Sequence, residues 1–273
     1  MFRRVVRTTL VPAWCWAGVS LLGFSGYFIA VKWDDRWADS LSAHAVFFIL
    51  AVGTCCPLIA VYGAKRPQHR VWQWIVLSLW TILALPAGES LLFQRDLEIG
   101  AVRSWFLLIL IVWGMLNYLL TKQAWLGVFT AFGQWLLLSR YLPLPGPPVP
   151  AFVVHPPWPV VTLVSAAFFL LSGWLGRESV ERTWNAAWRD FRDLYGAVWA
   201  LRVLQRFNAT AEASEWPVRL QWSGFAPAEG ATPLPSEATP SEEIEEIPPP
   251  AVREIHSLLR RFVTADWLAD RTR

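Results

Sequence analysis

The chain alternates long charge-free apolar runs with short charged stretches, until charge returns for good after residue 176. The runs cover residues 8–31, 40–64, 71–88, 104–121, 123–139 and 141–176. A helix of about 20 apolar residues crosses a hydrocarbon core of about 30 Å, with about 17 near the lower limit. The pattern therefore predicts an all-α polytopic membrane protein with six transmembrane helices, over about 8–31, 41–64, 71–92, 104–121, 124–142 and 157–176. A single helix over 104–139 would be about 54 Å long, too long for one crossing. A tight hairpin turning at Lys122 is expected instead. Pro86-Ala87-Gly88-Glu89 interrupts the third run, so a re-entrant segment is the alternative there.

Beyond the six-span domain 1–176 the periodicity changes. Val180, Trp184, Ala187, Trp188, Phe191, Leu194, Tyr195, Val198 and Leu201 recur at three- and four-residue spacing, which predicts a helix over about 178–208. Arg189 and Asp193 are four apart and can pair on its polar face. The apolar face suits the inner leaflet, a C-terminal subdomain of its own, or a partner helix. Val218-Arg219-Leu220-Gln221-Trp222 alternates as one short strand that needs an edge to pair with, and closes the segment 177–225. Residues 226–250 hold seven prolines, six glutamates and no basic residue, the composition of a disordered acidic linker. A terminal amphipathic helix over about 251–269, within the segment 251–273, follows, with Val252, Ile255, Leu258, Leu259, Phe262 and Val263 on one side.

Composition sharpens the membrane assignment. Of 273 residues 55% are hydrophobic and 16% charged, against about 45–50% and about 25% in soluble domains. Residues 1–176 hold 12 Lys/Arg and 6 Asp/Glu, while 177–273 hold 12 and 15. A single soluble globule, a disulfide scaffold and a disordered regulator are excluded, and the acidic tail argues against nucleic acid as a partner. Many of the 19 tryptophans stand at run ends (Trp14, Trp33, Trp72, Trp105, Trp125, Trp174), where indole collects at the headgroup level.

Arg3, Arg4 and Arg7 precede an apolar run longer than a signal-peptide core, with no A-x-A site after it, which reads as a retained signal-anchor. With the N-terminus inside, inner segments hold 11 Lys/Arg and outer ones 5, so both termini are expected in the cytoplasm. Arginine outnumbers lysine 21 to 3, as in GC-rich bacterial genomes, which suggests a bacterial inner membrane. The prolines between 143 and 159 predict an extended outer strip, a stiff spacer or a docking site.

Ionisable groups within spans are the natural functional candidates, because burying them is costly. Glu89, beside Pro86 and Gly88, and His44 qualify as transport candidates. Thr54-Cys55-Cys56 resembles the vicinal pair in the first span of mercuric transport proteins, which implies soft-metal binding by Cys55 and Cys56. That family carries a second pair in a later loop, and this chain has no cysteine after Cys56. Gly23-Phe24-Ser25-Gly26 resembles the Gly-x-Ser-Gly of rhomboid proteases, but the third run lacks the histidine which that family needs two spans later. The metal-protease, phosphate-loop and nucleophile-elbow motifs are absent, and no cofactor is expected. The polar inventory of the spans is sparse and the tail elaborate. The expected function is therefore a non-catalytic membrane subunit or scaffold, in contact with the bilayer and with a protein partner at the tail. Trp184, Trp188, Phe191, Ile255, Leu259 and Phe262 are the partner-binding candidates. The alternatives are a small-solute or ion transporter using Glu89 and, behind it, an intramembrane enzyme.

Overall fold

Apolar length sets the membrane part. In the computed structural model, which describes residues 7–38, 40–144, 182–228 and 247–272, four helical stretches are long and apolar enough to span a bilayer. They are α1 (Val11–Trp33); α3 (Leu41–Gly53) continued by α4 (Cys56–Tyr62); α5 (Trp72–Phe93); and α6 (Ala101–Leu119). The expected sixth span 157–176, the proline strip from residue 145 on and linker residues 229–246 lie outside the described residues.

The boundaries have local causes. Pro12 sits in the first turn of α1, where its missing N–H costs nothing. Asp34 Oδ1 accepts from the N–H groups of Arg36 (3.0 Å) and Trp37 (3.2 Å) and so opens the short α2 (Asp35–Ala38). Ser40 Oγ accepts from Ala43 N–H (3.1 Å) and caps α3. The third span runs through Pro86 unbroken and stops at Gln94, whose φ of 50° is left-handed. The interruption falls in the second span instead, between α3 and α4.

The fourth and fifth expected spans form a hairpin, α6 followed by Ala124–Leu138, whose turn contains Lys122. Thr121 Oγ1 donates to Tyr118 O (2.7 Å) and accepts from Gln123 N–H (3.1 Å). α7 (Ala124–Leu138) is shorter than the expected 124–142, because the chain tightens into a 3₁₀ turn at Ser139–Tyr141. Phe24 and Phe28 of α1, Phe48 of α3, Leu83 of α5, Leu107 and Ile111 of α6 and Leu137 and Leu138 of α7 form the core. Leu22, Trp74, Ile82, Trp105 and Trp113 point outward, as lipid-facing side chains do.

The tail is a second unit with its own core, and Arg7–Thr9 belong to it. Its long helix, α8 (Trp184–Ala213), differs from the expected 178–208. Thr183 Oγ1 caps it by accepting from Ala186 N–H (3.2 Å), and it kinks at Gly196, whose φ of 78° only glycine adopts at ease. The single strand expected at Val218–Trp222 is a hairpin, β1 (Val218–Leu220) antiparallel to β2 (Phe225–Pro227), with Gly224 in the turn. β2 therefore takes the first residues of the expected linker. Asn208 flanks β1 like a further strand, its Oδ1 accepting from Leu220 N–H and its Nδ2 donating to Leu220 O, both at 2.8 Å. We expect Asn208→Ala to cost about 1–3 kcal/mol, the penalty for leaving such groups unmade. It should appear as faster amide exchange at Leu220; unchanged exchange would mean that the side chain does not hold the strand.

The expected terminal helix 251–269 is two helices, α9 (Pro249–Leu259) and α10 (Ala265–Thr272). The chain between them leaves the helix to pair with the N-terminal segment. Thr8 bridges Val263, Thr9 N–H donates to Phe262 O (2.9 Å), and Thr264 N–H donates to Arg7 O (2.9 Å).

Candidate functional site

The broken second span gathers neutral polar side chains from two neighbouring helices, and its cause is one residue. Pro57 has no N–H to give the carbonyl four positions earlier, Gly53 O. Ser20 Oγ of α1 donates to it instead (3.1 Å). The turn then tightens: Thr54 N–H bonds Ala51 O (3.2 Å) and Cys55 N–H bonds Val52 O (3.0 Å). Thr54 O takes a hydrogen bond from Gln134 Nε2 of α7 (2.8 Å). In lipid every backbone polar group needs a partner within the protein, and two neighbouring helices supply them here.

Two indoles extend the seam. Trp80 Nε1 donates to Ile49 O (3.2 Å) and Trp72 Nε1 to Ile59 O (2.9 Å), which fixes α5 antiparallel to α3 and α4. Gln134 is fully buried, and its Oε1 has no hydrogen-bond partner. The seam thus spends its donors on structure and keeps one acceptor in reserve, enough for a single hydrogen-bond donor.

Cys55 and Cys56 sit in this break, free and buried, whereas Cys15 is exposed. Ser25, of the rhomboid-like tetrapeptide, back-bonds its own helix at Leu21 O (2.8 Å). Gly23 there makes room for Leu50, whose Cδ2 would lie 2.5 Å from an added Cβ. Glu89 is exposed one turn before the end of α5, and His44 is half-buried in the first turn of α3. The antiparallel register carries both to the same end of the helix pair, yet among the described residues no hydrogen bond or ion pair joins them. Three residues that position the seam, Ser20, Gln134 and Pro57, escape a search for ionisable groups. Neutral polar side chains inside charge-free runs, and a proline four after a glycine, were the available signals.

The tail candidates are brought together, but with one another. Trp188, Phe191, Ile255 and Leu259 are fully buried and Phe262 nearly so, while Trp184 is half-buried edge-on to His256 (6.2 Å). Phe262 packs edge-on against Phe191 (5.1 Å), Tyr195 (5.3 Å) and Trp199 (4.9 Å). The apolar stripes of α8 and α9 therefore form the tail's own core. Tyr195, absent from the candidates, is the junction: its hydroxyl donates to Phe262 O (2.8 Å) and lies 3.3 Å from Thr9 N and 3.1 Å from Thr9 Oγ1. A buried ion pair, Arg192 with Asp193 (2.9 Å), adds a hydrogen bond from Arg192 Nη1 to Trp222 O (2.7 Å).

Compared with known proteins, the chain matches no family model, no curated protein and no solved structure.

Proposed function

We propose that this protein is a non-catalytic membrane subunit or scaffold of a bacterial inner membrane, with six spans and both termini in the cytoplasm, working through its folded tail on a soluble protein partner. One observation carries the reading: Arg7–Thr9, which lead into the first span, are built into the tail that follows the last run. Segments of one folded unit lie on one side of a bilayer, which supports an even number of crossings. The charge-free runs supply six, and the 11-to-5 excess of Lys/Arg puts that side inside. A tail with its own folded core, built from both the N-terminal segment and the C-terminal helices, is suited to binding a partner. Among the described residues, by contrast, the polar side chains of the spans largely bond backbone carbonyls of the spans themselves.

The second reading, a small-solute or ion transporter, is favoured by the interrupted second span and the spare Gln134 Oε1, because transporters bind at discontinuous helices. Glu89 and His44 at one end of the α3–α5 pair remain its ionisable candidates. Covalent cross-linking of the full-length protein in mild detergent, with mass spectrometry of the products, separates the two. The scaffold reading expects the same cross-linked soluble partner for wild type and Glu89→Gln, and its loss when the tail is unfolded. Proton-coupled uptake by wild-type proteoliposomes that Glu89→Gln abolishes would overturn it.

A further inference from the structure

The nine residues 63–71 that join α4 to α5 carry Lys65, Arg66 and Arg70. A loop this short between two spans keeps all its residues near the headgroup layer, which is about 5–7 Å deep on each face. The loop is wound, not extended. His69 N–H bonds Lys65 O (3.0 Å) and Trp72 N–H bonds Gln68 O (2.9 Å). Gln73 Nε2 donates to His69 O (2.9 Å), and Gln73 Oε1 accepts from Trp16 Nε1 of α1 (3.0 Å). This winding confines three cations to six residues.

No acid lies near them in the sequence. The six acids of residues 1–176 fall in 34–39 and 89–98, leaving 40–88 without one. Among the described residues Lys65, Arg66 and Arg70 form no ion pair. The imidazole of His69 registers the imbalance: burial, then Arg70 and Arg66, hold it below the ordinary histidine pKa. Its Nδ1 is buried without a hydrogen-bond partner. Val71 at the end of the loop and Trp74 in the first turn of α5, both largely exposed, add the apolar surface that acyl chains prefer.

We propose that the loop 63–71 binds the phosphate headgroup of an anionic glycerophospholipid, held by Arg66 and Arg70 with Lys65 beside them. Arginine suits phosphate because its planar fork donates two parallel hydrogen bonds. The inference needs only that α3–α4 and α5 cross the bilayer, and it is independent of the partner proposed for the tail.

The test uses the full-length protein in nanodiscs containing phosphatidylglycerol and phosphatidylcholine in equal amounts. Lipids retained after extraction into mild detergent are counted by native mass spectrometry. Each arginine at an anionic surface contributes about fivefold in affinity, so Arg66→Gln with Arg70→Gln should lower the phosphatidylglycerol preference about 25-fold. Arg66→Lys with Arg70→Lys should keep much of it. No preference in wild type, or one untouched by the glutamine pair, overturns the proposal. If the glutamine variant fails to fold, the wild-type protein decides through His69, titrated by magnetic resonance in phosphatidylcholine nanodiscs. A few mole per cent of phosphatidylglycerol should raise the His69 pKa, because a bound phosphate cancels the field of Arg66 and Arg70. An identical titration, or an equal rise with inorganic phosphate alone, sinks the lipid site. Failure of the wild type to enter nanodiscs of either lipid would instead count against the spans themselves.

Discussion

Phe262→Asp is expected to unfold the tail unit, at a cost above about 5 kcal/mol. Removing a buried phenyl ring costs about 3–5 kcal/mol by itself, and the carboxylate that replaces it would be desolvated among aromatic rings. Phe262 is 3% exposed, and the three rings that meet it all come from α8. Its carbonyl also receives both Tyr195 Oη–H and Thr9 N–H, so losing the ring's seat loosens the N-terminal segment as well. Amide exchange should rise together at Leu220, Leu259 and Thr9, which sit on three different segments of the unit. Ser257→Asp, on the exposed face of α9, should stay within about 0.5 kcal/mol of wild type. Exchange that rises at Leu259 alone would mean that α9 is an appendage and not part of the tail's core.

What could be read in the sequence is what the solvent imposes. A bilayer demands uninterrupted apolar length, so α1, α5 and α6 follow from the charge-free runs, and the hairpin at Lys122 follows from helix rise. Helical periodicity likewise marks the apolar stripes of α8 and α9. Periodicity reports a face, however, and not what covers it. Trp188, Phe191, Ile255 and Leu259 look like a docking surface until the two stripes are brought together. Pairing over long distances leaves no local trace either: Arg7 bonds Asp270, 263 positions away. The split between α9 and α10 follows from that pairing, because Phe262–Thr264 take up the N-terminal segment in place of a helical turn. The β-hairpin was hidden for a different reason. Phe225-Ala226-Pro227 is too short to show alternation and contains a proline, which fits only an edge. In the membrane unit the polar seam went unread because its members are neutral. The same physics makes them necessary: once Pro57 frees Gly53 O, something like Ser20 has to be opposite.

Gly63→Ala should be the most damaging single methyl group in the membrane unit. At Gly63 φ is −99°, open to any residue, so the constraint is space and not backbone conformation. A Cβ there would fall within the indole ring of Trp72. α4 ends in a tightened turn, with Gly63 N–H bonded to Ala60 O (3.2 Å), and Ile59 O is left to the Trp72 indole (2.9 Å). The methyl group therefore evicts the ring and strands a carbonyl in one step. Overpacking costs about 1–3 kcal/mol and an orphaned buried acceptor about 1–3 more, so the sum is about 2–6 kcal/mol. Gly18→Ala is the matched comparison: it also adds a methyl group to a membrane helix, but no atom lies within 4 Å of its Cβ. That change should be neutral or stabilising by up to about 1 kcal/mol, the helix preference of alanine over glycine. Thermal unfolding of the two variants in the same detergent reads the difference directly. Equal midpoints would mean that Trp72 does not close over the end of α4, and the account of how the second and third spans are joined would fail with it.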